Sequence, residues 1–186
     1  MTWSPLAPPC KCETPKTRWR TVPYTAGRGL DLGCGAERLF DTEFVIGIDD
    51  GHDARHFGSP VAANLQIDAK NLLPLSSGSW DYVYSSWLLQ YFPYADVPGV
   101  LREWMRVLKP LGLLVLYLPD ASQFPKCNEE GVSPEPGAPP MHKWNVTYDR
   151  LVEALEKTHW NWDIIDFQHC DQDDEYSLFM VVRKLK

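Results

Sequence analysis

The stretch that decides the fold is Leu30-Asp-Leu-Gly-Cys-Gly-Ala-Glu-Arg38, LDLGCGAER. Its apolar lead-in reads as a strand. Gly33 and Gly35 let the backbone turn sharply and let a ligand approach without a Cβ in the way. A strand turning into glycines one residue apart looks like the entrance to a nucleotide site, although the glycine motif alone is not specific. Glu37 stands where a third glycine would often complete that turn.

Outward from this turn the chain alternates. Apolar runs predict strands at about 28–33, 44–49, 62–67, 80–85 and 111–118, with two more near 162–168 and 177–183. Val97, Val100, Leu101, Trp104 and Leu108 share one face of a helix over 94–108, which Lys109-Pro110 stops. Thr147 caps a second helix to about 158, with Leu151, Val152 and Leu155 facing inward. Residues 119–142 are rich in proline, glycine and polar side chains and read as a long loop. Strands alternating with helices imply a mostly parallel sheet with right-handed crossovers. The last two strands are joined by the short acidic stretch Asp171–Glu175, so they pair antiparallel as a hairpin.

Parallel sheets of this kind bind ligands at the carboxyl ends of their strands. Those ends carry Asp31 with the glycine turn, then Asp49 and Asp50, then Asp68 followed by Ala69, then Ser85-Ser86. A carboxylate after the second strand can take both hydroxyls of a ribose, each such bond contributing about 1.5–3 kcal/mol. An acceptor after the third suits an exocyclic amine. One acid after a strand is weak evidence; three at successive strand ends behind a glycine turn are specific.

These pieces, GLDLGCG, VIGIDD, LQIDAKNLLPLSSGSWDYVYSSWLLQYF and LREWMRVLKPLGLLVLYLP, resemble a small class I S-adenosylmethionine-dependent methyltransferase, of the type 11-like domain. The resemblance covers about residues 28–119. It implies an α/β, Rossmann-like three-layer sandwich with a mostly parallel seven-stranded sheet in the order 3-2-1-4-5-7-6, strand seven antiparallel. It implies S-adenosyl-L-methionine as cofactor and S-adenosyl-L-homocysteine as product. Gly33, Cys34 and Gly35 would underlie the methionine portion and Asp31 would sit near its amino group. Asp49 would hold the ribose, and Asp50 stands beside the adenine where the family often places an apolar residue. Asp68 and the Ala69 amide would read the adenine, and Ser85 would flank the transferable methyl. Leu89-Gln90-Tyr91 replaces a more usual Leu-Glu-His, and Leu111 stands where Pro-Gly-Gly is common.

Glu37 discriminates between cofactors. Beside a pyrophosphate, a carboxylate about 5 Å away repels each charge by ~3 kcal/mol at an effective dielectric of 20. S-adenosylmethionine has no phosphate and carries a sulfonium and an ammonium, so an acid is tolerated whether it faces the ligand or solvent. A nicotinamide or flavin oxidoreductase is disfavoured on this ground.

Eighteen positions separate Asp31 from Asp49 and nineteen separate Asp49 from Asp68, too few for full helices, so shortened helices follow strands 1 and 2. The face they leave needs cover, since an apolar patch of several hundred Å² is unusual on a monomer. Residues 1–24, with five prolines, read as an extended N-terminal arm that supplies it through Trp3, Leu6, Trp19, Val22 and Tyr24, unless a homodimer does. Residues 25–186 form one domain, in which 119–146 is a loop or lid over the acceptor pocket. Its His142 is the candidate base, ahead of Tyr91, His52 and Asp120, and Trp87, Tyr91, Phe92, Tyr94 and Trp144 are candidates for an aromatic acceptor pocket.

Composition agrees with a single core: 186 residues, 44 % hydrophobic and 23 % charged. A net charge of −7 disfavours nucleic acid as partner. No apolar run reaches the ~18 residues of a membrane span, and the N-terminus has no signal-type apolar core. Five scattered cysteines imply a reducing, cytoplasmic interior rather than a disulfide framework. Cys10-Lys-Cys12 has no second pair at zinc-site spacing, so no metal is expected. The expected activity is methyl transfer to a small-molecule or sugar-type acceptor. The alternative is a non-catalytic binding or assembly protein on the same fold with a weakened cofactor site.

Overall fold

The computed structural model describes residues 14–52, 60–123, 142–171 and 175–186. Its strands are β1 (Gly29–Leu32), β2 (Val45–Ile48), β3 (Trp80–Ser86), β4 (Leu108–Pro119), β5 (Trp162–Cys170) and β6 (Ser177–Lys184). They form one sheet in the order β2-β1-β3-β4-β6-β5. The first four pair parallel, and β6 lies antiparallel between β4 and β5. Because β6 reverses between them, β5 runs in the same direction as β4 and ends at the same edge of the sheet. The predicted fold class and the closing hairpin are therefore present.

The strand count differs by one. The predicted strand at 62–67 is reduced to a single parallel bridge, Ile48 to Leu65. The Asn64 side chain is the reason: its Oδ1 accepts from the Gly47 amide at 2.8 Å and from Arg38 Nη1 at 3.0 Å. A side chain that takes a ladder amide competes with the strand it sits in. The bridge lies beside β2, the position that the expected order assigns to strand three.

Two clusters of buried side chains sandwich the sheet. On the first face α2 (Val97–Val107) and α3 (Tyr148–Glu156) bring Leu101, Trp104, Leu151 and Leu155 against Leu114, Leu116, Met180 and Val182. Val97, Val100, Leu101, Trp104 and Met105 recur at helical spacing and are buried, and Thr147 caps α3 by accepting from the Arg150 amide at 3.3 Å. Lys184 closes this layer, donating through Nζ to Met105 O and Leu108 O, each at 2.8 Å, where a helix end leaves carbonyls without partners.

The second face is aromatic: Tyr82, Tyr84, Tyr117 and Phe179 pack with Leu39, Val115 and Val181. Residues 33–44, between β1 and β2, contain turns and bends but no helix, so the first crossover is shorter than expected. The crossover after β2 runs partly through 53–59, outside the described residues. The expected arm corrects in two respects. Residues 14–24 are not extended: they form α1 (Thr14–Thr21) and a 3₁₀ turn (Val22–Tyr24). Pro15 falls in the first turn, where its missing N–H costs nothing. Trp19 and Val22 point outward, 66 % and 61 % exposed, while Thr17, Thr21 and Tyr24 face the sheet. Polar contacts anchor the helix, among them Thr17 Oγ1 to Tyr84 Oη at 2.7 Å and Tyr24 Oη to Asp166 at 2.7 Å. Trp3 and Leu6 lie outside the described residues.

Leu111 has φ +66° and is 65 % exposed. A side chain in the left-handed region costs about 1–2 kcal/mol, and glycine escapes it. Leu111→Gly is expected to raise stability by about 0.5–1 kcal/mol, read as a higher urea midpoint with unchanged slope.

Candidate functional site

Register places the site. Leu32 lies level with Ile48 on β2 and with Ser85 on β3, so the residues after each of them share one edge. Gly33 and Cys34 turn across that edge, donating to Ile48 O at 2.8 and 3.2 Å. Gly33 has φ +72° and Gly35 φ +52°. A Cβ on Gly33 would strike Leu88 at 2.9 Å, whereas one on Gly35 would meet nothing within 4 Å. The turn therefore presents bare backbone to open space.

Asp49 fastens this turn. Its Oδ2 accepts from the Gly35 amide at 3.0 Å and its Oδ1 from the Gly51 amide at 2.7 Å. An ionised carboxylate offers about four lone-pair positions, so two remain for hydroxyl donors. Asp50, beside it, is exposed and accepts from the His52 amide at 2.7 Å. Asp68 heads a turn, accepting from the Lys70 amide at 2.8 Å, while Ala69 O takes the Trp104 indole N–H at 2.8 Å and pins the turn to α2.

Three of the expected site side chains, those of Asp31, Cys34 and Ser85, are buried. Asp31 is buried, and its Oδ2 accepts from the Leu39 amide at 2.6 Å, closing the helix-free connection. Burial lifts its carboxyl from 3.8 to about 7, against the opposing pull of the Leu39 amide and of Arg38. Cys34 is buried too; burial and the nearby Asp31 and Asp49 push its thiol up to about 12, so it stays a thiol. Ser85 Oγ, fully buried, donates to Leu32 O at 3.1 Å.

Glu37 neither faces solvent alone nor adds free charge to the turn. Arg18 of α1 forms an ion pair with it and donates to Leu39 O at 2.8 Å and Arg38 O at 3.1 Å. The pair neutralises the acid that replaces the third glycine.

Along the edge beyond β3 lies an aromatic group. Trp87, at φ +50°, donates its backbone N–H to Tyr117 O at 2.8 Å and its indole N–H to Ser177 Oγ at 3.2 Å. The nearly buried His142 ring meets Trp87 and Tyr91 edge-on, with centroids 5.9 and 5.5 Å apart, and Tyr176 meets Trp87 at 5.7 Å. Trp144 and Tyr94 pack against each other instead, their rings tilted by 47°, and Trp144 is core, donating its indole N–H to Leu89 O. The aromatic candidates thus divide between the edge and the core.

Asp120, just past β4, is buried and bound by four donors: the Ser122 amide and hydroxyl at 2.9 and 2.6 Å, Gln123 Nε2 at 3.1 Å and His169 Nδ1 at 2.5 Å. Burial works to raise its carboxyl, but the Ser122 hydroxyl and His169 outweigh it and hold the group below the ordinary carboxylate range. Sequence reasoning missed His169 and Tyr176. The signal for His169 was available, because it stands at the carboxyl end of a strand parallel to β4. Among the described residues no three His, Cys, Asp or Glu side chains gather as metal ligands, and no helix is long and apolar enough to cross a membrane.

Residues 30–116 match the family model described as "Methyltransferase domain". Solved structures agree over nearly the whole chain. A methyltransferase from Mesorhizobium loti is 19 % identical with TM-score 0.64, covering 92 % of this chain and 97 % of its own. One from Archaeoglobus fulgidus is 18 % identical with TM-score 0.63, covering 92 % of both chains. This is the class I methyltransferase fold. A [4+2]-cyclase, SpnF, shares it at 18 % identity and TM-score 0.57, covering 92 % of this chain and 79 % of its own. No curated protein sequence matches the chain. S-adenosylmethionine is the cofactor this fold implies, and the residues fit it. The Gly35 backbone is open, Asp49 retains acceptor capacity, and Arg18 neutralises Glu37. The Ser86 hydroxyl and both ends of the fully buried Gln90 amide have no partner among the described residues, the condition that a bound ligand or water relieves.

Asp31 sets a pH dependence. Its folded pKa lies above its unfolded value, so between about pH 4 and 7 the folded state binds more protons than the unfolded state. Stability is therefore expected to fall as pH rises through that window. Asp31→Asn, which keeps an acceptor for the Leu39 amide, is expected to flatten this dependence in urea midpoints and to be more stable than the parent above pH 7.

Proposed function

We propose that the protein transfers a methyl group from S-adenosylmethionine to a small-molecule or sugar-type acceptor by in-line displacement. The observation that carries this reading is the open turn at Gly35 bridged by Asp49, with Asp68 farther along the same edge. In this reading Gly33, Cys34 and Gly35 lie under the methionine portion with Asp31 bracing them from below. Asp49 takes the ribose hydroxyls, Asp50 flanks the adenine, and Asp68 and Ala69 receive it; Ser85 shapes the wall near sulfur. The bound cofactor supplies a methyl group on an already activated sulfonium carbon. What the chain must add is position: holding the acceptor about 3 Å from that carbon supplies roughly 7–11 kcal/mol. Trp87, Tyr91, His142 and Tyr176 form the wall against which the acceptor lies.

The second reading, a non-catalytic binding or assembly protein on the same fold with a weakened cofactor site, is supported by the helix-free connection after β1 and by Glu37 in place of a third glycine. Calorimetry separates the cofactor question from the rest. Binding of S-adenosylmethionine and S-adenosylhomocysteine is expected, weakened about tenfold or more in Asp49→Asn through lost charge-assisted bonds. No heat at about millimolar cofactor would sink the methyl-transfer reading.

A further inference from the structure

Resting on that reading, we propose that Asp120 and His169 form a carboxylate–imidazole pair in which His169 takes the proton of a neutral aromatic hydroxyl acceptor. The two residues come from different strands and meet at the carboxyl edge: Asp120 follows β4, and His169 lies near the end of β5. They are bonded Oδ2 to Nδ1 at 2.5 Å. The Asp120 carboxylate is buried and held by Ser122 and Gln123, so it cannot swing away. The His169 side chain, by contrast, is 54 % exposed, and Phe167 holds its ring edge-on at 4.9 Å. A carboxylate on Nδ1 fixes that nitrogen as the N–H donor and leaves Nε2 with a free lone pair, the arrangement a general base requires. A surface ion pair needs no such scaffold.

The pair is joined to the aromatic wall. The Asp120 amide donates to Tyr176 O at 2.9 Å, and the Tyr176 ring meets Trp87, which follows Ser85-Ser86. An acceptor whose ring lies along Trp87 and Tyr176 places its single hydroxyl between the end of β3, on the cofactor side, and His169. His142 is less suited, since it is nearly buried and flanked by Trp87 and Tyr91. In the step, the acceptor O–H proton passes to His169 Nε2 as the oxygen lone pair bonds to the methyl carbon. The carbon–sulfur electron pair stays on sulfur, S-adenosylhomocysteine is the leaving group, and the imidazolium later returns its proton to water. Asp120 is a positioning residue: it sets the tautomer and stabilises the imidazolium.

Two measurements test this. Nitrogen-15 spectra of the histidine side chains are expected to show His169 as the Nδ1–H tautomer, shifting toward Nε2–H in Asp120→Asn. A parent protein with Nε2–H at His169 overturns the pairing. Release of S-adenosylhomocysteine is then followed with two probes at mildly alkaline pH, phenol, which is un-ionised, and 4-nitrophenol, which is largely ionised. His169→Gln is expected to lower the phenol-to-nitrophenol rate ratio by about 100-fold or more, because only phenol needs the base. An equal fall on both probes assigns His169 to binding and overturns the base role. Turnover of neither probe by protein that binds the cofactor overturns the acceptor class. Absence of cofactor binding defeats the methyl-transfer reading, and the base role with it.

Discussion

The site depends on one buried hydrogen bond, from the Leu39 amide to Asp31 Oδ2. In a fuller fold a helix would follow the glycine turn and its first amides would stiffen the connection. Here residues 33–44 have no helix, so the loop must be tied from beneath. A carboxylate suits because it reaches eight residues ahead and accepts strongly. The cost is burial, which raises its pKa to about 7. The acid that looks from sequence like a cofactor ligand therefore acts as the brace of the glycine turn.

Most of the sheet was legible because strand and helix periods act locally. Val97 through Met105 face the core at helical spacing, and Thr147 caps α3 in sequence as in structure. The third strand was misread because its pattern is apolar while its pairing is decided by Asn64, whose side chain takes the Gly47 amide. At the site, the turn and the acids after successive strands could be placed from sequence. Partners drawn from far away could not. The Arg18–Glu37 pair joins residues nineteen apart, and Asp120–His169 joins residues forty-nine apart across two strand pairings. Nothing local announces either. The expected cover of the second face came from the expected segment and through Tyr24 as expected, but with Thr17 and Thr21 in place of Trp19 and Val22, because the space beneath α1 is already filled by tyrosine rings whose hydroxyls call for polar neighbours.

Charge at the glycine turn is settled by pairing rather than by omission. Glu37 would burden any phosphate-binding turn, yet with Arg18 across it the local field is close to neutral. Such a half-exposed pair adds little stability on its own, within about 1 kcal/mol. Its effect is on shape, since the same guanidinium also takes the Arg38 and Leu39 carbonyls. That the fold is shared with a cyclase is a reminder that the scaffold supplies an edge, and that side chains on the edge choose the reaction.

The short helix α1 has a mechanical consequence. At one position Arg18 grips the turn after β1; two residues on, Arg20 grips Glu175 at 2.6 Å and Gln168 at 3.3 Å, beside the β5–β6 hairpin. Near its C-terminal end the helix thus holds both halves of the same rim, one carrying the glycine turn and the other Tyr176 and His169. Strain placed on either half is shared through a rigid body only eight residues long. By thermodynamic reciprocity, any coupling of binding that α1 carries between the two halves is equal in both directions.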